Sequence, residues 1–237
     1  MFETVRNAFK IKDLRKKILY TLFILVVVRI GCQLPIPGVD ADYISQWFAD
    51  QNSLDFFNQL TGGSFEKMSI FALNITPYIT SSIILQLLTI AIPRLEELHK
   101  DGEEGRKKIS EYTRYVTIVL SLMESAAMAI GFASQGLLTG GATFTSITVC
   151  IVSMTAGSAL LMWLGEQITE HGVGNGISII LLYNIVSRMP EDMSSLFNKF
   201  VKNASTTVNS LLAAVIIIGV LVAMVVFIIY LSDGERR

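Results

Sequence analysis

The chain has 237 residues, 51% of them hydrophobic and 16% charged, with a mean hydropathy of +0.53. That charge content is too low for an ordinary soluble domain, and the net charge of −1 gives no basic excess with which to bind nucleic acid directly. Two cysteines without a CxxC pair, Cys32 and Cys150, read as buried free thiols and exclude a disulfide scaffold.

A membrane-crossing helix needs roughly 20 mostly apolar residues. Candidate stretches recur at Ile18–Leu34, Ile75–Ile92, Tyr115–Phe132, Phe144–Leu164, Ile177–Val186 and Leu211–Leu231. The expectation is an all-α polytopic membrane bundle of about six spans. Residues 1–17 place Phe2, Val5 and Phe9 at helical spacing among six basic residues. They read either as an amphipathic helix on an anionic lipid surface or as a basic tail. The first span contains Arg29 and lacks a small-x-small cleavage site, so it reads as a retained helix. An Arg at mid-membrane costs about 2.5–3.5 kcal/mol on insertion scales. Arg29 therefore either snorkels to headgroups or makes a buried polar contact.

"LPIPGVD" at 34–40 stops that span. "LDFFNQLTGGSF" at 54–65 carries Leu54, Phe56, Phe57 and Leu60, is far too short to cross, and is broken by Gly62 and Gly63. It reads as a short helix on a flexible joint, or as an ordinary loop helix. In "SIFALNITPYITSSIILQLL" (69–88) the spacing predicts a helix from about Asn74, with Asn74 as its cap and Pro77 in its first turn. Asn74, Tyr78, Ser82 and Gln86 recur every fourth residue, beside a stripe of Ile75, Ile79 and Ile83. A polar stripe at membrane depth needs protein partners or water. Helix packing and a water-lined path both satisfy it.

Basic residues then fix a topology. Segments 1–17, 93–114 and 236–237 hold fourteen Lys and Arg, against four in the alternate loops. By the positive-inside rule both termini of the chain and the 93–114 loop are cytoplasmic. That loop, with six basic and six acidic residues, is either an inner contact surface or a solvated hairpin. "GEQITEHGVGNG" (165–176) would be a second inner loop. It has no lysine and no GxxxxGK[ST] pattern, so no nucleotide or other cofactor is expected. His99 and His171 are the only histidines and form no metal-ligand set, so an enzyme is not expected. On pattern alone a channel and a secondary transporter of ions or small solutes both remain open. Glu124 is the one carboxylate deep in a span that a transporter could use.

Four stretches, "RIGCQLPIPGVD" (29–40), "SIFALNITPYITSSIILQLL" (69–88), "KDGEEGRKKISEYTRY" (100–115) and "MWLGEQITEHGVGNGISII" (162–180), together resemble the SecY family of protein-conducting channel subunits. The resemblance implies a ten-helix fold in two inverted five-helix halves, of which this chain would be the first half plus the sixth helix. It would then be a fragment, or one of two pieces that assemble with the remaining half. The implied organisation is a cytoplasmic segment 1–17, a five-helix half over 18–190, an external loop 191–210 and a sixth helix over 211–237. The resemblance assigns Leu54, Phe56, Phe57 and Leu60 to a plug at about 54–62, with Gly62 and Gly63 as its hinge. It assigns Ile75, Ile79, Ile177 and Leu181 to a hydrophobic pore ring, and Thr80, Ile83, Gln86 and Glu124 to a lateral gate. Glu124 departs from the Gln of some relatives. Arg106, Lys107 and Lys108 would touch a cytoplasmic partner. The implied partners are SecE and SecG, the SecA ATPase or a ribosome, and signal-bearing polypeptides, at a bacterial cytoplasmic membrane.

Overall fold

The protein is described from a computed structural model, over residues 11–39, 44, 58–59, 61–138, 141, 143–196 and 207–234. The plug residues Leu54, Phe56, Phe57 and Leu60, and most of the amphipathic segment, lie outside the described residues. The elements are α1 (Lys12–Gly31), α2 (Thr76–Ala91), α3 (Pro93–Lys100), α4 (Glu103–Ser134), α5 (Phe144–His171), α6 (Gly176–Leu196) and α7 (Thr207–Asp233). The chain divides into two compact units, Met1–Ser187 and Arg188–Arg237.

The architecture is an all-α bundle. Among the described residues, α4 and α5 are each long and apolar enough to cross a membrane, and the α2–α3 pair makes a third candidate if counted as one span. That pair bends by 103°. The bend falls where Ile92 is extended ahead of Pro93, since the proline ring disfavours a helical residue before it.

In α4 the polarity is inverted relative to a helix of a water-soluble protein. Along α4, Thr113, Thr117, Ser121 and Ser125 are buried, while Val119, Leu122, Met123 and Ile130 are exposed. Each buried hydroxyl donates to a carbonyl three or four residues back, such as Thr117 to Thr113 O at 2.6 Å. Small residues satisfied this way let helices approach closely where lipid supplies no hydrophobic drive. Ser81 of α2 meets Thr117 at 2.5 Å, and Thr155 of α5 meets Ser125 at 2.9 Å. Helix α4 thus packs between α2 and α5.

Two described stretches between α1 and α2 pair with each other. Ile36 N donates to Met68 O at 2.9 Å and Ile70 N to Leu34 O at 3.0 Å, pairing the Pro35 stretch with the Ser69 stretch. Ile36, Met68, Ala72 and Leu73 then join Ala129 and Met154 in one core cluster. Helix α5 comes so close here that a Cβ on Gly157 would fall on the Ile70 carbonyl. Within the second unit, α7 exposes an unbroken apolar series from Ile218 to Leu231.

The expected start of the second span needs correction. Asn74 does not cap α2: the helix begins at Thr76 behind Ile75, with no side-chain cap, and Asn74 sits in the left-handed region at φ 53°. Asn tolerates that conformation better than most residues. Its side chain turns across the bundle instead, where Oδ1 accepts from Asn184 Nδ2 of α6 at 3.1 Å.

Candidate functional site

Ile75, Ile79 and Ile177 belong to one apolar cluster with Phe71, Leu161, Ile168 and Ile180. Ile75 is fully buried, while Ile79 and Ile177 are half-buried at the edge. The N-terminal turns of α2 supply the first two, and the first turn of α6 supplies Ile177. That turn is held by hydroxyl and amide caps. Thr169 Oγ1 accepts from Gly176 N at 2.9 Å and Asn175 Oδ1 from Ser178 N at 3.3 Å. Leu181, four residues on and so on the same face of α6, is half-buried.

An open cleft of about 410 Å³ adjoins this cluster. Ile79, Ile83, Tyr78 and Ser82 of α2 form one wall, and Ile177 with Ser178 of α6 the opposite one. Arg114 and Glu166 stand at the side, joined by a 2.7 Å ion pair between α4 and α5. Sequence reasoning missed this pair. Its only signal was that both residues lie in the two recognisable stretches that alternation puts at one end of neighbouring helices. The cleft thus combines branched apolar side chains on both walls with polar and charged ones.

The gate residues do not converge on one spot. Thr80 returns its hydroxyl to Thr76 O at 3.0 Å, Ile83 faces the cleft, and Gln86 is exposed beside a smaller cavity. Glu124 is half-buried and lines a separate, mostly apolar cavity of about 370 Å³ with Thr76, Phe65, Leu73 and Met128. Arg106, Lys107 and Lys108 are exposed near the start of α4. Both cysteines are free and buried. Among the described residues no group of three His, Cys, Asp or Glu side chains is placed to hold a metal ion.

The glycine joint is tied by several hydrogen bonds. Gly62 and Gly63 have φ of 65° and 83°, which a side chain would strain. Gly63 N donates to Asn58 O at 2.9 Å, and Ser64 Oγ donates to Thr61 O at 2.6 Å. Asn58 and Glu66 close the turn through two hydrogen bonds of 2.6 and 3.1 Å. Arg29 pairs with no carboxylate among the described residues. It makes a part-buried polar contact, with Nη1 donating to Gly62 O at 2.9 Å and Ser187 Oγ at 3.1 Å.

Comparison with known proteins follows the same lines. The SecY family model matches residues 69–237. The chain is 40% identical over 242 residues to the protein translocase subunit SecY of Bacillus subtilis (strain 168), covering 100% of this chain and 56% of that protein. It is 40% identical over 230 residues to the SecY subunit of Pseudomonas aeruginosa, covering 96% of this chain and 51% of that one. The chain therefore spans about half the length of these relatives. Two solved structures, one described as a protein conducting channel and one as Sec61 in a canine ribosome-channel complex, share the fold. Each has a TM-score of 0.59 at 19% identity over 90% of this chain and 47% of the solved one.

Proposed function

Because the chain belongs to the SecY family, we propose that it forms one half of a protein-conducting channel. That channel passes unfolded, signal-bearing polypeptides across a bacterial cytoplasmic membrane and releases apolar helices sideways into it. The observation that carries this reading is the shared cluster of Ile75, Ile79 and Ile177 beside an open cleft that also carries polar and charged side chains. A narrow ring of branched apolar side chains resists ion leak by excluding water, yet yields to a peptide because it holds no fixed hydrogen bonds. Leu181 would complete this half's share of the ring.

Six crossings, made by α1, α2, α4, α5, α6 and α7, put residues 1–17, 93–114 and the last residues in the cytoplasm. The segregation of fourteen basic residues supports that orientation. The cleft then opens inward and receives the chain to be exported. Residues 54–62 act as the plug, and Thr80, Ile83, Gln86 and Glu124 line the side of the gate. A second half supplies the opposing wall. No catalytic step is assigned. Transport energy comes from the SecA motor or a ribosome docked near Arg106, Lys107 and Lys108, and SecE and SecG complete the assembly.

The test is resting ion conductance of the full assembled complex in planar bilayers. Replacing Ile75 and Ile79 together by Gly raises it severalfold on this reading. Conductance equal to wild type would remove the ring from the proposal.

A further inference from the structure

An arginine inside a membrane bundle is normally matched by a carboxylate or leads to water. Arg29 pairs with no carboxylate among the described residues: it is half-buried, and its two hydrogen-bond acceptors are neutral. Those acceptors come from two remote parts of the chain, 33 and 158 residues away. The Gly62 carbonyl belongs to the glycine joint. The Ser187 hydroxyl accepts from Arg29 while donating to Asn184 O at 2.8 Å, so its own proton is used and its lone pair is aimed at the guanidinium.

The same turn of α6 forms the surface on which the joint rests. A Cβ on Gly62 would lie 3.0 Å from Asn184 O and 3.1 Å from Asn184 Cα, so glycine there allows backbone to sit on backbone. One face of Asn184 supports Gly62, and its side chain reaches Asn74 at the mouth of α2. Arg29 closes this arrangement from the side of α1.

We propose that Arg29 is a positioning residue whose guanidinium clasps the Gly62–Gly63 joint onto the Asn184–Ser187 turn of α6 and thereby holds the joint shut. The two N–H groups of Nη1 engage the carbonyl and the hydroxyl at once, and the rigid guanidinium plane fixes their directions, whereas an ammonium on its flexible stem is held less well. The acceptors are neutral, so the clasp is weaker than a buried ion pair and can open and reclose. The functional consequence, a channel held closed at rest, rests on the channel reading. The contact itself does not.

Cys32 offers a reporter. It is 1% exposed, one turn beyond Arg29, and shares a cluster with Phe71, whose carbonyl accepts from Ser64 of the joint at 3.1 Å. Cys150 is equally buried but belongs to the other core cluster, so it reports on the bundle as a whole. The experiment measures maleimide labelling of each cysteine, in backgrounds where the other is Ser, in the full membrane-embedded complex, alongside resting conductance. Arg29→Met should raise Cys32 labelling about tenfold, the factor expected for one hydrogen bond to a charged group, and leave Cys150 labelling unchanged. Ser187→Ala should raise it less, and Arg29→Lys should fall between wild type and Arg29→Met. Unchanged Cys32 labelling in both Arg29→Met and Ser187→Ala overturns the clasp. So does Cys150 labelling rising in step with Cys32 in all three variants, because Arg29 would then support the whole bundle rather than the joint. A rise at Cys32 alone without a rise in conductance leaves the clasp standing and counts against the channel reading instead.

Discussion

Helices α2 and α4 carry polar side chains at the same four-residue spacing, and the two series end in opposite environments. On α4, Thr113, Thr117, Ser121 and Ser125 are all buried. On the α2 side, Asn74 is buried, Tyr78 and Ser82 are half-buried at the cleft, and Gln86 is exposed. Size and self-satisfaction account for the difference. A Ser or Thr hydroxyl on a helix can donate to its own preceding turn, so it enters a helix–helix contact without leaving a donor unmet. The amide of Gln and the phenol of Tyr are too large and reach too far for that. They need a wet wall or a distant partner. A stripe made only of short hydroxyls therefore marks packing, whereas one that sets Tyr78 and Gln86 around Ser82 marks a surface with room for larger polar groups.

This contrast can be tested residue by residue. The largest effect is expected at Thr117→Leu, which forces bulk into the contact with Ser81. Overpacking there should lower the unfolding free energy by about 1–3 kcal/mol, read from denaturation of the detergent-solubilised chain by sodium dodecyl sulfate. Thr117→Val in the same assay isolates the hydroxyl and should cost much less. If Thr117→Leu unfolds like wild type, the α2–α4 contact is not tightly packed. Next comes Ser125→Ala, which removes the bond to Thr155. Its cost should be roughly 0.6 kcal/mol, the usual worth of one interhelical hydrogen bond in a membrane bundle. A cost several times larger would mean that Ser125 supports more than Thr155. The smallest effect is expected at Gln86→Leu, on the exposed side, where stability should change by less than about 0.5 kcal/mol. A marked loss there would place Gln86 in a contact and undo the distinction between the two helices.

A comparable lesson comes from the two irregular features of the chain. The α2–α3 bend has a local cause, because Pro93 acts on Ile92 whatever surrounds it, and the expected end of the second apolar stretch at Ile92 coincides with it. The start of α2 was not legible in this way. Asn74 followed by Pro77 has the form of a helix entry, yet the cap is unused, because a partner 110 residues away takes the side chain. Arg29 shows the same limit. Its cost in a membrane was readable, and so were two ways of meeting it, but choosing between them required Gly62 and Ser187. The Arg114–Glu166 pair was invisible for the same reason: it joins residues 52 apart whose separate surroundings suggest only solvated charges.

The amino-acid sequence by itself determined the helical membrane class, the charge asymmetry and the family, because apolar run length, charge distribution and motif order are properties of the linear chain. The tertiary structure alone decided which polar groups are buried in contacts and which line a cleft, that Ile75, Ile79 and Ile177 share one cluster, and that Arg29 grips the glycine joint. Those outcomes depend on partners brought from distant parts of the chain, and hydrogen-bond satisfaction is settled only once the partners meet.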